Sequence, residues 1–375
     1  MRVTNTIKEI ITRKSVRSTS RLLKIKLAAI LIALFSVTNT FASEAGKEGD
    51  QEKEFSVSDV IMHHIADAYE YHLWGEGDHS VSIPLPVILY SAESGNFSIF
   101  LSSKFEHGHA EVDGYKLGDH GITNAEGAHA PRFFDLFGDH HIAFYDFSIT
   151  KNVFAMLLSF GILIFVFGSV ARAYKTRAGL APKGMQNLME ALILFVRDEI
   201  AAPNINPKKI DKFMPYLLTV FFFIWINNLI GLIPFFPGGA NLSGNIAFTA
   251  TLAVATYLMT TFNANKDYWK HIFWMPGVPV PFKIFLIPIE LIGTIAKPFA
   301  LMMRLFANIT AGHIVVLSLI SLIFIFQSVW VSPAAVGLAL FINVLELLVA
   351  FLQAFVFTML TALFIGAGVE EHAHH

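Results

Sequence analysis

The chain has 375 residues, 54% of them hydrophobic and only 15% charged. Soluble domains carry about 25% charged residues, so the deficit points to a lipid environment. A formal net charge of -2 excludes a strongly basic nucleic-acid binder, and the absence of cysteine excludes disulfides and thiolate metal sites.

Residues 1–26 carry Arg2, Lys8, Arg13, Lys14, Arg17, Arg21, Lys24 and Lys26, and residues 27–37 are a short apolar run. Thr40-Phe41-Ala42 then offers small residues around a cleavage point after Ala42. This is the layout of a secretory signal peptide over residues 1–42, with an uncleaved anchor as the alternative. In either case residue 43 onward starts outside the cytoplasm, as an extension running to residue 150.

That extension is polar and predicts a small α+β unit outside the membrane. Val60, Ile61, Ile65 and Ala68 recur at helical spacing, which predicts a helix over 56–71. Residues 81–90 and 97–105 predict strands joined by a hairpin turn at Ser94-Gly95-Asn96. Gly118-Asp119-His120, Gly127-Ala128-His129 and Gly138-Asp139-His140 read as loop punctuation. Ten of the fifteen histidines fall in this region. His107 and His109, or His140 and His141, are close enough to suggest metal, but their spacing fits no defined ligand set.

From residue 151 the composition changes to that of a membrane domain. Residues 153–170 are long enough to cross a ~30 Å hydrocarbon core. Arg172, Lys175, Arg177 and Lys183 follow, which places that end in the cytoplasm. Residues 185–200 alternate at helical period around Glu190, Arg197, Asp198 and Glu199 and predict a helix along the membrane surface. Residues 213–236 span outward and 246–262 return, with Lys266 and Lys270 on the inner side. Pro279 and Pro281 mark a break. Residues 284–330 and 336–366 are then almost continuously apolar, and Val331-Ser332-Pro333 turns the chain between them. Both runs exceed a ~20-residue perpendicular span, so they predict two long, strongly tilted helices. The expected fold is an all-α polytopic membrane protein with about five membrane helices and a surface helix. The Glu370-Glu371-His372 tail falls on the cytoplasmic side.

Within 284–366 the charged or titratable groups are Glu290, Lys297, Arg304, His313 and Glu346. Each charge at mid-membrane costs roughly 2.5–3.5 kcal/mol on insertion scales. A mere hydrophobic anchor has no use for five such groups, whereas an ion path does. Glu290, Lys297 and Arg304 are seven apart and share a helix face that drifts about 20° per step. Asn308, four after Arg304, joins that face. His313 is nine after Arg304, about 180° round and some 13 Å along the helix. On the last helix Glu346 and Gln353 are again seven apart. Arg is effectively always protonated and cannot relay a proton, but it attracts carboxylates and blocks leakage. Glu and His exchange protons when their surroundings tune them. No phosphate-cradling Gly-x-x-x-x-Gly-Lys pattern occurs. A secondary transporter would favour paired inverted repeats, which are not seen.

The run from Lys297-Pro298-Phe299 through Arg304-Leu305-Phe306-Ala307-Asn308 to Gly312-His313 resembles the signature of subunit a of F-type ATP synthases. Leu352-Gln353-Ala354-Phe355-Val356-Phe357, Asn227-Asn228-Leu229-Ile230-Gly231-Leu232-Ile233-Pro234, Glu370-Glu371-His372 and Val60-Ile61-Met62-His63-His64 resemble further motifs of that family. The resemblance implies a non-catalytic stator subunit of the bacterial inner membrane. Its last two helices would pack on a ring of c subunits, with the b subunits of the peripheral stalk and the other ATP synthase subunits as partners, and it needs no cofactor. It implies that Arg304 faces the ring carboxylates and that Glu290 lines the cytoplasmic half-channel. His313 and Glu346 would line the external one, with Asn308 and Gln353 beside the arginine. Many members carry an acid where His313 stands and a histidine where Glu346 stands; here the two are exchanged. The extension of 44–144 exceeds the family's usual short N-terminal segment, and the resemblance assigns it no role.

Overall fold

The computed structural model describes residues 67–74, 81–92, 94–118, 121–124, 127–130, 143–233, 236–274, 278–326, 328 and 330–370. The signal segment, the motif at 60–64, Glu371 and His372 lie outside them.

The extension folds as short antiparallel strands. β1 (Glu70–Trp74) pairs with β2 (Val81–Pro84). β3 (Pro86–Ser91) pairs with β4 (Phe97–Leu101) on one side and with β8 (Phe144–Asp146) on the other. β5 (Glu111–Val112), β6 (Tyr115–Gly118) and β7 (Gly121–Asn124) make a third small sheet.

The helix expected over 56–71 is therefore wrong at its described end, where Glu70 and Tyr71 open β1. The helical spacing stops at Ala68, and the aromatic residues that follow suit a pleated surface better. The single strand expected over 81–90 is divided at Leu85. Pro84 and Pro86 flank it and offer no ladder N–H, so the chain changes partner there. The strand expected to reach Phe105 ends at Leu101 and gives way to a 3-10 helix, Ser102–Gly108. The Ser102 hydroxyl accepts from Leu85 N at 3.1 Å and turns the chain inward, which buries Phe105 fully. The hairpin at 94–96 forms as expected: Gly95 N donates to Ser91 O and Ser91 N to Asn96 O, each at 3.0 Å, and Gly95 adopts φ +69°. Val87, Leu89, Phe100, Phe105, Tyr115, Ile122 and Phe144 form the core of this part.

Five helices among the described residues are long and apolar enough to cross a membrane. α1 (Lys151–Thr176) starts at Thr150, whose side chain accepts from Val153 N. Asp67 adds a second cap from the extension by accepting from Asn152 N at 3.0 Å. Tyr71, at the foot of β1, fixes the same junction. Its ring makes edge contacts with Phe154 and Phe236, and its hydroxyl donates to Lys151 O and Pro237 O.

α2 (Met185–Phe195) forms within the 185–200 segment where a helix is expected, but it passes into a π-helical turn, Val196–Ala201. That turn drives Val196, Ile200 and Ala201 into full burial against the spans. α3 (Ile210–Gly231) stops short of the expected residue 236. The loop behind it folds back, with Gly239 N donating to Ile230 O, and Pro234 disfavours a helical residue before it. α4 (Ile246–Asn263) is capped by Asn245, whose side chain accepts from Ala247 N and Phe248 N. A short helix that the sequence reading did not anticipate, α5 (Lys266–Phe273), follows.

α6 (Val280–Phe326) and α7 (Ser332–Val369) contain 47 and 38 residues. At 1.5 Å per residue they are about 70 Å and 57 Å long, roughly twice a ~30 Å hydrocarbon core. The end of α7 is held by two loops. Lys209 Nζ donates to Val369 O at 3.0 Å, while Asn265 donates from its backbone to Gly368 O and from its amide to Val369 O, both at 2.8 Å. These bonds satisfy carbonyls that a helix end leaves unpaired. The packed centre of the bundle contains Leu217, Phe221, Ile224, Leu301, Leu305, Ala354 and Ile365. Aliphatic, aromatic and small residues interpack there, so close van der Waals fit holds the helices together where lipid supplies no hydrophobic drive.

Candidate functional site

The hydrophobic contacts of α6 decide which way its polar groups face. Leu301 and Leu305 are 1% and 0% exposed and pack in the bundle centre with Ala354 and Phe357. One position from Leu305, Arg304 is turned out and exposed. Asn308 is exposed with it, four residues on. Around the two, Ala300, Ala307 and Ala311 are also exposed, so the arginine stands in a face of small side chains. Such a face lets another helix come close.

Away from that face α6 carries His313, about 180° round from Arg304, and meets Glu346 at Gly312, about 80° round. The Glu346 carboxylate lies over Gly312, with Oε1 where a side chain at that position would begin. His313 turns toward the end of α3: its Nε2 is 4.0 Å from where a Cβ on Gly231 would be. Both residues are half-buried. Two glycines thus clear the space that the acid and the imidazole occupy.

Polar side chains gather on α3 and in the loop that follows it, at the helix end that His313 approaches. Asn228, on α3, donates to Ala350 O of α7 at 3.3 Å and accepts from the Ser243 hydroxyl of the following loop. Asn227 donates to Phe223 O at 2.7 Å. Asn227 Oδ1, Asn241 Nδ2 and Thr310 Oγ1 are buried with no hydrogen-bond partner among the described protein groups. Buried polar atoms of this kind call for water. Asn241, Ser243 and Thr310 were not picked out from the sequence. The signal that was available was the pair Asn227-Asn228 inside an apolar span.

Nearer the start of α6 a second polar cluster forms. Glu290 is half-buried, and its backbone carbonyl accepts from the Thr294 hydroxyl at 2.9 Å. Tyr268, on α5, hydrogen-bonds to the Thr294 side chain; burial pushes its hydroxyl above the ordinary tyrosine pKa, and the charge of Glu290 adds to that. Tyr257, Tyr268, Thr294, Lys297 and Phe364 line a cavity of about 20 Å³, which is room for about one water. The Lys297 ammonium sits 5.8 Å from the Phe364 ring centroid, so a cation–π contact turns this exposed side chain toward α7. Gln353 is 6% exposed, on the buried side of α7.

The arrangement defines a class: a polytopic membrane protein with an exposed cation on one face of a long helix and titratable groups displaced to either side along it. The sequence model of the family described as ATP synthase A chain matches residues 153–366. "ATP synthase subunit a" of Chloroherpeton thalassium is 45% identical over 250 residues, 64% of this chain and 74% of that protein. "ATP synthase subunit a 2" of Chlorobaculum tepidum is 46% identical over 255 residues, 64% of this chain and 70% of that one. A subunit a from Anaeromyxobacter sp. is 37% identical over 339 residues, 88% of this chain and 74% of that one, so its likeness runs on into the extension. The chain belongs to the ATP synthase A chain family. Its extension matches a second family model, described as a domain of unknown function (DUF8433), over residues 60–147.

Proposed function

We propose that this chain is the proton-translocating stator subunit of an F-type ATP synthase, forming two half-channels against a ring of c subunits. The observation that carries the reading is the position of Arg304: exposed among small residues on one face of α6, with His313 and the Glu346 contact at Gly312 displaced from it along the helix. A proton enters from the external side past His313 and Glu346 and neutralises a ring carboxylate, and the ring turns. The carboxylate later releases its proton toward Glu290 and the cytoplasm, with Lys297 beside that path and Asn308 and Gln353 flanking the arginine.

Arg304 separates the two paths. At 4 Å and an effective dielectric of 20, its attraction for a carboxylate is about 4 kcal/mol. That is enough to lower a carboxyl pKa by about three units. A carboxyl passing Arg304 therefore stays ionised, and no proton crosses directly. Along α6, Glu290 and His313 are about 21 Å and 13 Å from Arg304 in opposite directions, so the two groups serve opposite sides of the barrier.

The reading includes an inner-membrane location, residues 1–42 as a signal peptide, 43–150 as a periplasmic extension and 151–375 as the membrane domain with a cytoplasmic C-terminus. The basic residues that follow α1 support that orientation. The b subunits of the peripheral stalk hold the chain against the ring's torque, and nucleotide chemistry belongs to other subunits. The deciding experiment replaces Arg304 by Ala and measures ATP-driven proton pumping in inverted vesicles. Coupled pumping should be lost, and unaltered coupled pumping rejects the reading.

A further inference from the structure

The sheet β4-β3-β8 has two apolar faces. One, with Val87, Leu89, Phe100 and Phe144, is the core of the extension. On the other, Phe97, Ile99 and Leu101 of the edge strand β4 stand 63%, 70% and 48% exposed. Register places Tyr90 opposite both Phe97 and Tyr145, so the aromatic surface continues across β3 to β8. Tyr145 stacks on Phe147, which is itself 60% exposed. No position of this face carries a charge. An apolar face of this kind on a soluble domain marks a contact surface.

Its attachment says what it contacts. β8 runs directly toward α1: Phe147 N donates to Ile88 O and Ile149 N to Pro86 O, both at 2.9 Å, and Thr150 caps the helix. Phe147 is six residues before Val153, where the apolar part of α1 begins, a reach of at most about 20 Å. The Asp67 cap and the Tyr71 ring cluster tie the extension to that helix end at a second point. α1 exposes Leu157, Phe160, Ile164 and Phe165, the surface of a helix facing lipid. Phe, Ile and Leu interspersed with Tyr are the chemistry of a membrane–water interface.

We propose that the outer face of the β4-β3-β8 sheet rests on the phospholipid interface beside α1 and holds the extension against the membrane. This does not depend on the proton-path reading. The chain contains no cysteine, so Phe97→Cys, Ile99→Cys and Leu101→Cys each give it a single thiol for a nitroxide label, with the unsubstituted complex carried through the same labelling as background. Each is read in the assembled complex in vesicles of phosphatidylethanolamine and phosphatidylglycerol. Collision with oxygen should exceed collision with a water-soluble nickel chelate, as for Leu157→Cys on α1 and unlike the exposed Lys116→Cys on β6. Nickel-dominated relaxation at the three sites overturns the proposal. Protection from both reagents also overturns it and assigns the face to a neighbouring subunit or a second copy. The three positions are independent, so loss of one labelled variant leaves the others to decide.

Discussion

Glu346 and Gly312 are in contact across the α6–α7 hairpin, the carboxylate occupying the space that any side chain at residue 312 would need. The next residue, His313, reaches to Gly231 on α3. The acid and the imidazole thus sit in adjoining gaps, each opened by a glycine.

Gly312→Ala should disturb this pair more than its one methyl suggests. Overpacking of this sort costs about 1–3 kcal/mol, and here the group displaced is Glu346. Proton pumping should fall while the complex still assembles. Glu346→Asp in the same background should restore part of it, because the shorter side chain withdraws from the new methyl. Pumping assays on the single and double variants check this, and full activity of Gly312→Ala would show that the contact has no functional weight.

Exchanging His313 and Glu346 should leave more activity than replacing either by Ala. One acid and one base remain in the swapped protein. Each single Ala variant loses a titratable group and leaves a gap, beside α3 for His313 and beside α6 for Glu346. The comparison is made on ATP-driven pumping, and a swap as inactive as the single variants would separate the two residues functionally.

Tyr71 gives the junction between extension and membrane domain an alkaline limit. Burial pushes its hydroxyl up to about 12, with the charge of Asp67 contributing. The unfolded value is about 10. A raised pKa means that the bound proton favours the folded form. The stabilisation is complete below about pH 10 and is lost as the pH climbs toward 12. Tyr71→Phe keeps the ring contacts and loses two hydrogen bonds, at a cost of about 0.5–1.5 kcal/mol. Amide exchange of β1 in the assembled complex should show weaker protection at neutral pH for Tyr71→Phe, together with a flatter response above pH 10.

Asp67→Ala removes the cap that the extension gives α1. The expected loss is about 1 kcal/mol, seen as faster amide exchange at Asn152 and Val153. Thr150 still caps Val153, so the helix itself should persist. Asp67→Asn, which keeps the accepting oxygen, should recover most of the protection. If it behaves like Ala, the effect comes from charge and the cap is not its source.

The membrane part was legible because its signals are local. Long uncharged runs mark spans, and five interruptions in the last two runs pick out Glu290, Lys297, Arg304, His313 and Glu346. Helix phase alone separates Arg304 from His313. The contacts that hold these groups were not legible, because they join segments far apart in the chain. Asn228 bonds to Ala350, and Tyr71 reaches Pro237; no spacing rule links such positions. The gaps at Gly231 and Gly312 are invisible until their neighbours are placed. In the extension the periodic signal was short, so β1 was read as the tail of a helix and Leu85 as mid-strand.

The bonds that Lys209 and Asn265 make to the last carbonyls of α7 have a mechanical meaning. Through the turn at Trp330 and Val331, α6 and α7 form a hairpin far longer than the bilayer is thick. A sideways push on the Arg304 face acts on that hairpin as on a long lever. Anchored at its far tip to the loops before α3 and after α4, α7 works as a pinned beam. A lateral load on the hairpin passes through those bonds into the loops before α3 and after α4.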